Sequence, residues 1–283
     1  MLGLDFPKDF KGGDSIRNNW VTNMQHFSNT FEPLEGKFDT EELLILKIDD
    51  DHYLQGYADL IRHNEDGTLS ILDWKTSSLY SEEDFEHAAH QLFIYGLAKE
   101  QEGFKVRDMA WIFLKYVEVE FMGKKRANSK NDTLITKVIE RRKLTSELRK
   151  YVEADLRKLG YSDVEVYLLL GEMTKNNSLD VLPDEVKSNY TVKPYIKTIP
   201  FDEEGKNLTM KFIVDTIADF ERREDCEADW KPRPFTKTNK AGKVVEDTFY
   251  CNALCDFGGT CKFIKEYNLS KVPENIKDYE EWF

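Results

Sequence analysis

The sequence lacks an apolar run near the roughly 20 residues that span a bilayer, and no basic start with an apolar stretch leads to a cleavage site. Both absences predict a cytoplasmic protein without a membrane partner. No cysteine occurs before residue 226, so the chain is not a secreted disulfide framework. Repeats and low-complexity tracts are missing as well. There is no surplus of basic charge: 40 Lys and Arg face 53 Asp and Glu, for a net charge of -13. That balance argues against a protein that coats nucleic acid by bulk attraction.

What is present is enough apolar surface for a globular protein. With 283 residues, 40% apolar and 13% aromatic, the chain can bury one large core or two small ones. Positive charge, although outnumbered, clusters in two tracks. One runs from Lys124, Lys125, Arg126 and Lys130 to Lys137, Arg141, Arg142 and Lys143; the other holds Lys231, Arg233, Lys237, Lys240 and Lys243. Each is either a nucleic-acid contact or a solvated face.

The hydrophobic period changes along the chain. Ile16, Trp20, Met24 and Phe27 recur at three and four residues, which predicts a helix over 14–30. From Glu42 the pattern is extended: LLILKI, YLQGYADLI and LSILDWKTSS read as three strands of a meander, with Asp66-Gly67 marking the second hairpin turn. A helix follows, opened by an acidic capping stretch at Ser81 to Asp84 and carrying Phe85, Ala89, Leu92 and Leu97. Aromatic and β-branched residues predict a strand over 106–122. Residues 134–158 read as a charged helix with a thin apolar stripe, and 207–224 as another helix. Soft boundaries near 130 and 200 divide the chain into a core (1–130), a charged helical region (131–200) and a C-terminal helix with the cysteines (201–283).

Two carboxylates fall at the centre of the meander: Asp59 in QGYADLI and Asp73 in LSILDWKTSS. An unpaired acid in a buried strand costs several kcal/mol, which a bound cation relieves. Alternation along a strand puts Asp73 and Lys75 on one face and Trp74 on the other. The hairpin lets Asp59 lie beside Asp73. Two carboxylates, with the Trp74 carbonyl as a third oxygen, suit Mg2+ or Mn2+. Such an ion would polarise a phosphoryl group and acidify water for in-line attack, with Lys75 orienting or deprotonating the water or stabilising the charge that develops. The bland alternative is an ordinary Asp73–Lys75 ion pair at a sheet edge.

Gly56-Tyr-Ala-Asp59, Asp73-Trp-Lys75 and Gln91-Leu-Phe-Ile-Tyr95 together resemble the PD-(D/E)XK nuclease superfamily, and the Q-x-x-x-Y element resembles its RecB-type branch, which includes phage exonucleases and CRISPR-associated nucleases. The resemblance implies an α/β, restriction-endonuclease-like core with a central mixed sheet flanked by helices. It implies a catalytic centre of Asp59, Asp73 and Lys75, with Gln91 and Tyr95 positioning DNA or the lysine. It also implies a histidine or glutamate from an earlier element as a further metal ligand, for which His26 and Glu42 are the candidates. His87 and His90 point to other helix faces.

Cys251-x3-Cys255-x5-Cys261, joined by Cys226, resembles the C-terminal cluster that holds a 4Fe-4S centre in some RecB-type nucleases. The spacing departs from that pattern, and the same thiolates suit a structural zinc site or no metal at all. The function that follows is a DNA exonuclease or end-processing enzyme, with a recombination or replication protein as partner. The alternative is a non-catalytic nucleic-acid-binding or assembly subunit that keeps the fold.

Overall fold

A computed structural model describes residues 13–124, 131–223, 232–239, 241–257 and 259–271. The chain folds as two compact units, with the boundary between Ile213 and Val214.

The first unit is built on a mixed six-stranded sheet. Helix α1 (Gly13–Thr30) precedes a meander of β1 (Lys37–Lys47), β2 (Tyr53–His63) and β3 (Leu69–Lys75). The β2–β3 turn works as its sequence predicts. Gly67 takes φ 80°, a region that glycine enters without steric cost, and Asp66 Oδ1 accepts from the Thr68 amide at 3.0 Å. Helix α2 (Glu82–Gln101) starts with a full capping box between Ser81 and Asp84. It carries the chain across to β4 (Val106–Gly123), which runs parallel to β3, as a crossover connection allows.

Beyond β4 the structure departs from the predicted charged helix over 134–158. Residues Thr133–Glu140 form β5, and the helix α3 begins only at Leu144 and ends at Lys158. The physical reason is the alternation in TLITKVIE. Ile135 and Ile139 are buried, while Leu134, Thr136 and Val138 face outward, and the β-branched residues favour a strand once β4 offers an edge. A 3-10 turn (Arg141–Lys143) joins β5 to α3, which packs with α4 (Asp163–Asn176) and the short α5 (Asp184–Lys187). Strand β6 (Tyr190–Pro200) then pairs with β4, so residues 131–200 contribute two strands to the central sheet. Val117, Val119 and Phe121 of β4 form one core with Leu148, Val152 and Leu156 of α3.

Helix α6 (Glu203–Arg222) begins in this unit. The second unit contains a small hairpin of β7 (Thr236–Thr238) and β8 (Val244–Glu246), a π-helical turn (Tyr250–Leu254) and α7 (Lys262–Ser270). The Phe235 and Tyr267 rings, with centroids 4.8 Å apart, tie its hairpin to α7. Among the described residues no helix is long and apolar enough to cross a membrane.

Candidate active site

The meander ladders break at one residue. Strand β1 pairs with β2 through Thr40↔Leu60 and resumes at Glu42↔Ala58, skipping Glu41 and Asp59. Glu41 takes φ 49°, a left-handed conformation costly for a residue with a Cβ. On the other side, β2 pairs with β3 only as far as Leu60↔Leu72. Past that point the Asp59 carboxylate replaces the ladder: its Oδ2 accepts from the Trp74 amide at 2.8 Å. The sheet therefore opens at Asp59, and Asp73 is the next residue of β3 beyond the last pair.

Asp73 is 3% exposed. Its Oδ2 lies 2.7 Å from Lys75 Nζ as an ion pair, yet it has no hydrogen bond of ordinary geometry. Burial is the first cause that raises the Asp73 pKa; the nearby Asp59 charge raises it further, while Lys75 pulls it back. Burial lowers the Lys75 pKa, but Asp73 outweighs it, so the lysine is held protonated above its ordinary value. The ammonium donates to Gln91 Oε1 at 3.3 Å, and Gln91 Nε2 donates to the Tyr95 hydroxyl at 3.0 Å. The i and i+4 spacing on α2 thus forms a chain from Tyr95 through Gln91 to Lys75. Tyr95 lies against Gly56. A Cβ there would come within 2.9 Å of its ring, which is the physical reason for a glycine three residues before Asp59.

Trp74 faces away from this cluster, with its ring 6.0 Å from that of Phe31 just past α1. His26 of α1 is occupied within the fold. Its Nδ1 lies 3.4 Å from Arg141 Nη1 and 3.5 Å from Thr30 Oγ1, and it bonds the Asn177 backbone; burial first, then Arg141, lowers its pKa. Glu42 is ion-paired with Lys99. Among the described residues no group of three or more His, Cys, Asp or Glu side chains stands ready to hold a metal, so neither His26 nor Glu42 joins the two aspartates as a third ligand here. The donor set of Asp59 and Asp73, with a buried carboxylate oxygen lacking an ordinary hydrogen bond, nevertheless suits a hard divalent cation.

The remaining candidates lie elsewhere. His90 stacks on Phe212 at 4.5 Å and meets Thr209 Oγ1 at 2.9 Å, joining α2 to α6, and burial lowers its pKa ahead of the His87 charge. Lys137, Arg142 and Lys143 of the first basic track are ion-paired with Glu147 or Glu140, and Arg141 is buried. In the second track, Arg233 and Lys237 share Asp247. Lys125, Arg126, Lys130, Lys231 and Lys240 lie outside the described residues, as does Cys226. Cys251, Cys255 and Cys261 are free, half-buried thiols. Glu41, which the sequence places with Glu42 at the opening of the first strand, falls at the break opposite Asp59 in the β1–β2 register.

A family model of the PD-(D/E)XK nuclease superfamily matches residues 13–167, more than half of the chain. The chain belongs to that superfamily. The match spans α1 through the start of α4 and includes the break at Asp59. PD-(D/E)XK members are mostly metal-dependent nucleases that use Mg2+ or Mn2+, which supports a hydrolase acting on nucleic acid. No curated protein matches the chain.

Proposed function

We propose that this chain is a Mg2+- or Mn2+-dependent deoxyribonuclease of the RecB-type branch that processes DNA ends during recombination or phage replication. The carrying observation is the break in the sheet at Asp59, which leaves the buried Asp73 carboxylate beside a second acid and only one lysine. The Q-x-x-x-Y pair, joined to Lys75 by hydrogen bonds, supports the branch.

Asp59, Asp73 and the Trp74 carbonyl would hold the cation. The chemistry that such an ion supplies when bound is polarisation of the scissile phosphoryl group and acidification of the attacking water. Lys75, 2.7 Å from Asp73, would act as a charged donor that stabilises the negative charge developing on the phosphate. Gln91 fixes where that ammonium sits, and Tyr95 fixes Gln91. Among the described residues Cys251, Cys255 and Cys261 form no group that could hold a metal, and they carry no part of this reading.

The test is digestion of linear, circular and single-stranded DNA with Mg2+ or Mn2+, beside Asp73→Ala. Progressive loss of linear DNA, sparing circles, is expected from the parent. Discrete fragments would refute end processing. Retention of DNA without cleavage in either metal would make the chain a binding subunit.

A further inference from the structure

Strand β4 changes neighbour just past the candidate centre. Its pairing with β3 ends at Lys75↔Phe113, and its pairing with β5 starts only at Tyr116↔Glu140. On the opposite edge the register jumps from Phe113↔Tyr195 to Val117↔Pro194, so Leu114, Lys115 and Tyr116 bulge against no residue of β6. Such bulges re-aim side chains and are common beside active sites. Arg141 holds this one from within. Its buried guanidinium donates from Nε to the Leu114 carbonyl at 2.7 Å, where neither β3 nor β5 lies alongside.

The bulge opens on the face that carries Lys75. Phe113 shares that face as the register partner of Lys75. The Tyr116 ring meets the Phe113 ring edge-on, with centroids 6.4 Å apart, so Tyr116 and its cross-strand partner Glu140 lie on the same side. Lys115 sits between Phe113 and Tyr116, half-buried and within electrostatic reach of Glu140 and Arg142.

Anions are scarce here. Glu140 is shared by Arg142 at 2.7 Å, Lys143 at 3.4 Å and Lys115, and it also accepts from Asn23 Nδ2 at 2.8 Å. Elsewhere in the first unit the balance is reversed: Lys99, Arg107, Arg157, Lys193 and Lys206 each meet two carboxylates. Burial lowers the Lys115 pKa; Glu140 pulls it up and Arg142 pushes it down again. A further anion beside Lys115 would offset both the burial and the repulsion. Lys115 lies past the partner of Lys75 by about 7 Å along β4, at roughly 3.3 Å per residue. A nucleic-acid strand advances about 3.4 Å per nucleotide, so a phosphate about two nucleotides from the scissile one falls at that distance.

We propose that Lys115, aimed by the bulge in β4, binds a backbone phosphate of the substrate about two nucleotides from the scissile position. The inference rests on the nuclease reading for the identity of the anion.

The test uses the full chain with Lys115→Gln and Lys115→Arg. Oligonucleotides carrying a single uncharged methylphosphonate at successive positions are compared by kcat/KM in Mg2+, and metal-free binding of unmodified DNA is measured against salt. In the parent, neutralising the phosphate about two nucleotides from the cut should lower kcat/KM about fivefold to tenfold. Lys115→Gln should lose as much on unmodified DNA and become insensitive at that position alone, and Lys115→Arg should restore both. The salt slope should fall by about one in Lys115→Gln and return in Lys115→Arg. Equal sensitivity of the parent and Lys115→Gln at every position overturns the contact, as does an unaltered salt slope. A loss that Lys115→Arg fails to restore overturns it too, by assigning Lys115 a structural role. Should the parent bind DNA but cleave none, the nuclease reading fails alone, because the salt slope still decides the contact; a parent that binds no DNA overturns both.

Discussion

Asp73 with Lys75 on β3 and Glu42 with Lys99 between β1 and α2 are two pairs in which an acid of the sheet meets a lysine. Each leaves a buried carboxylate oxygen without an ordinary hydrogen bond. Their burial is inverted. Around Lys99 the cation is inside, with its side chain 5% exposed, while Glu42 and Glu102 reach solvent and Phe104 offers its ring at 5.1 Å. Burial pulls the Lys99 pKa down, but the two carboxylates outweigh it. At the other pair the acid is inside, at 4%, the lysine is more open, at 17%, and the neighbour is a second acid. A buried cation held between two part-exposed acids has its charge compensated within the fold. A buried anion beside another anion, at a break in two ladders, remains short of positive charge. An acid and a lysine close together do not by themselves mark a site; the cation deficit does.

Five substitutions and a pH series can break or sharpen this contrast. The largest effect is expected for Asp73→Ala, with DNA cleavage reduced by about a thousandfold or more, several kcal/mol of transition-state stabilisation. Steady-state cleavage rates in Mg2+ check it, and a rate near that of the parent would remove Asp73 from the centre. Lys75→Ala should cost about a hundred- to a thousandfold in kcat with KM little changed, since its ammonium acts on charge that develops during reaction.

Lys99→Ala should do the reverse, destabilising the fold by about 2–4 kcal/mol while the folded enzyme keeps its kcat. The figure is held below that of a fully buried pair because both acids are part exposed, and urea unfolding beside kinetics measures it. Gly56→Ala forces Tyr95 to shift, so a loss of about 1–3 kcal/mol in stability is expected. It should also lower kcat through Gln91, and Tyr95→Phe, which keeps the ring and removes the hydroxyl, should affect only kcat.

The pH effect is the smallest. The raised Asp73 pKa means that the metal-free fold binds this proton more tightly than the unfolded chain. The group's contribution to stability is full below the ordinary aspartate value and is lost as pH rises through that value to the raised one. Metal binding needs the carboxylate, so affinity for Mn2+ should start to fall at a higher pH than for an ordinary aspartate. Calorimetry across that window reads both signs.

The meander, α2 and the aspartates were legible in sequence because strand alternation, the Asp66-Gly67 turn and the Ser81 capping box are local signals. The facing of Asp73 and Lys75 follows from a period of two and needs no tertiary information. Strand β5 was not legible: its charged outer positions imitate a solvated helix, and only the edge of β4 makes the extended form favourable. The pairing of Glu42 with Lys99 and of His26 with Arg141 joins residues 57 and 115 positions apart, a relation that no local pattern records. Lys137, Arg142 and Lys143 of the first basic run are ion-paired, because the acids that neutralise them, Glu140 and Glu147, are interleaved with them in sequence. The left-handed Glu41 carries no sequence signal by itself, since its conformation follows from the break that it helps to make.

The most direct measurement is Mn2+ binding to the parent and to Asp73→Asn, followed by the paramagnetic resonance of the free ion. The substitution keeps the shape of the side chain while removing one charge and one acceptor oxygen from the break at Asp59. The parent should bind Mn2+ and Asp73→Asn should bind it at least tenfold more weakly, a difference of about 1.4 kcal/mol or more. Equal binding by the two proteins would contradict the assignment of the cation to Asp59 and Asp73.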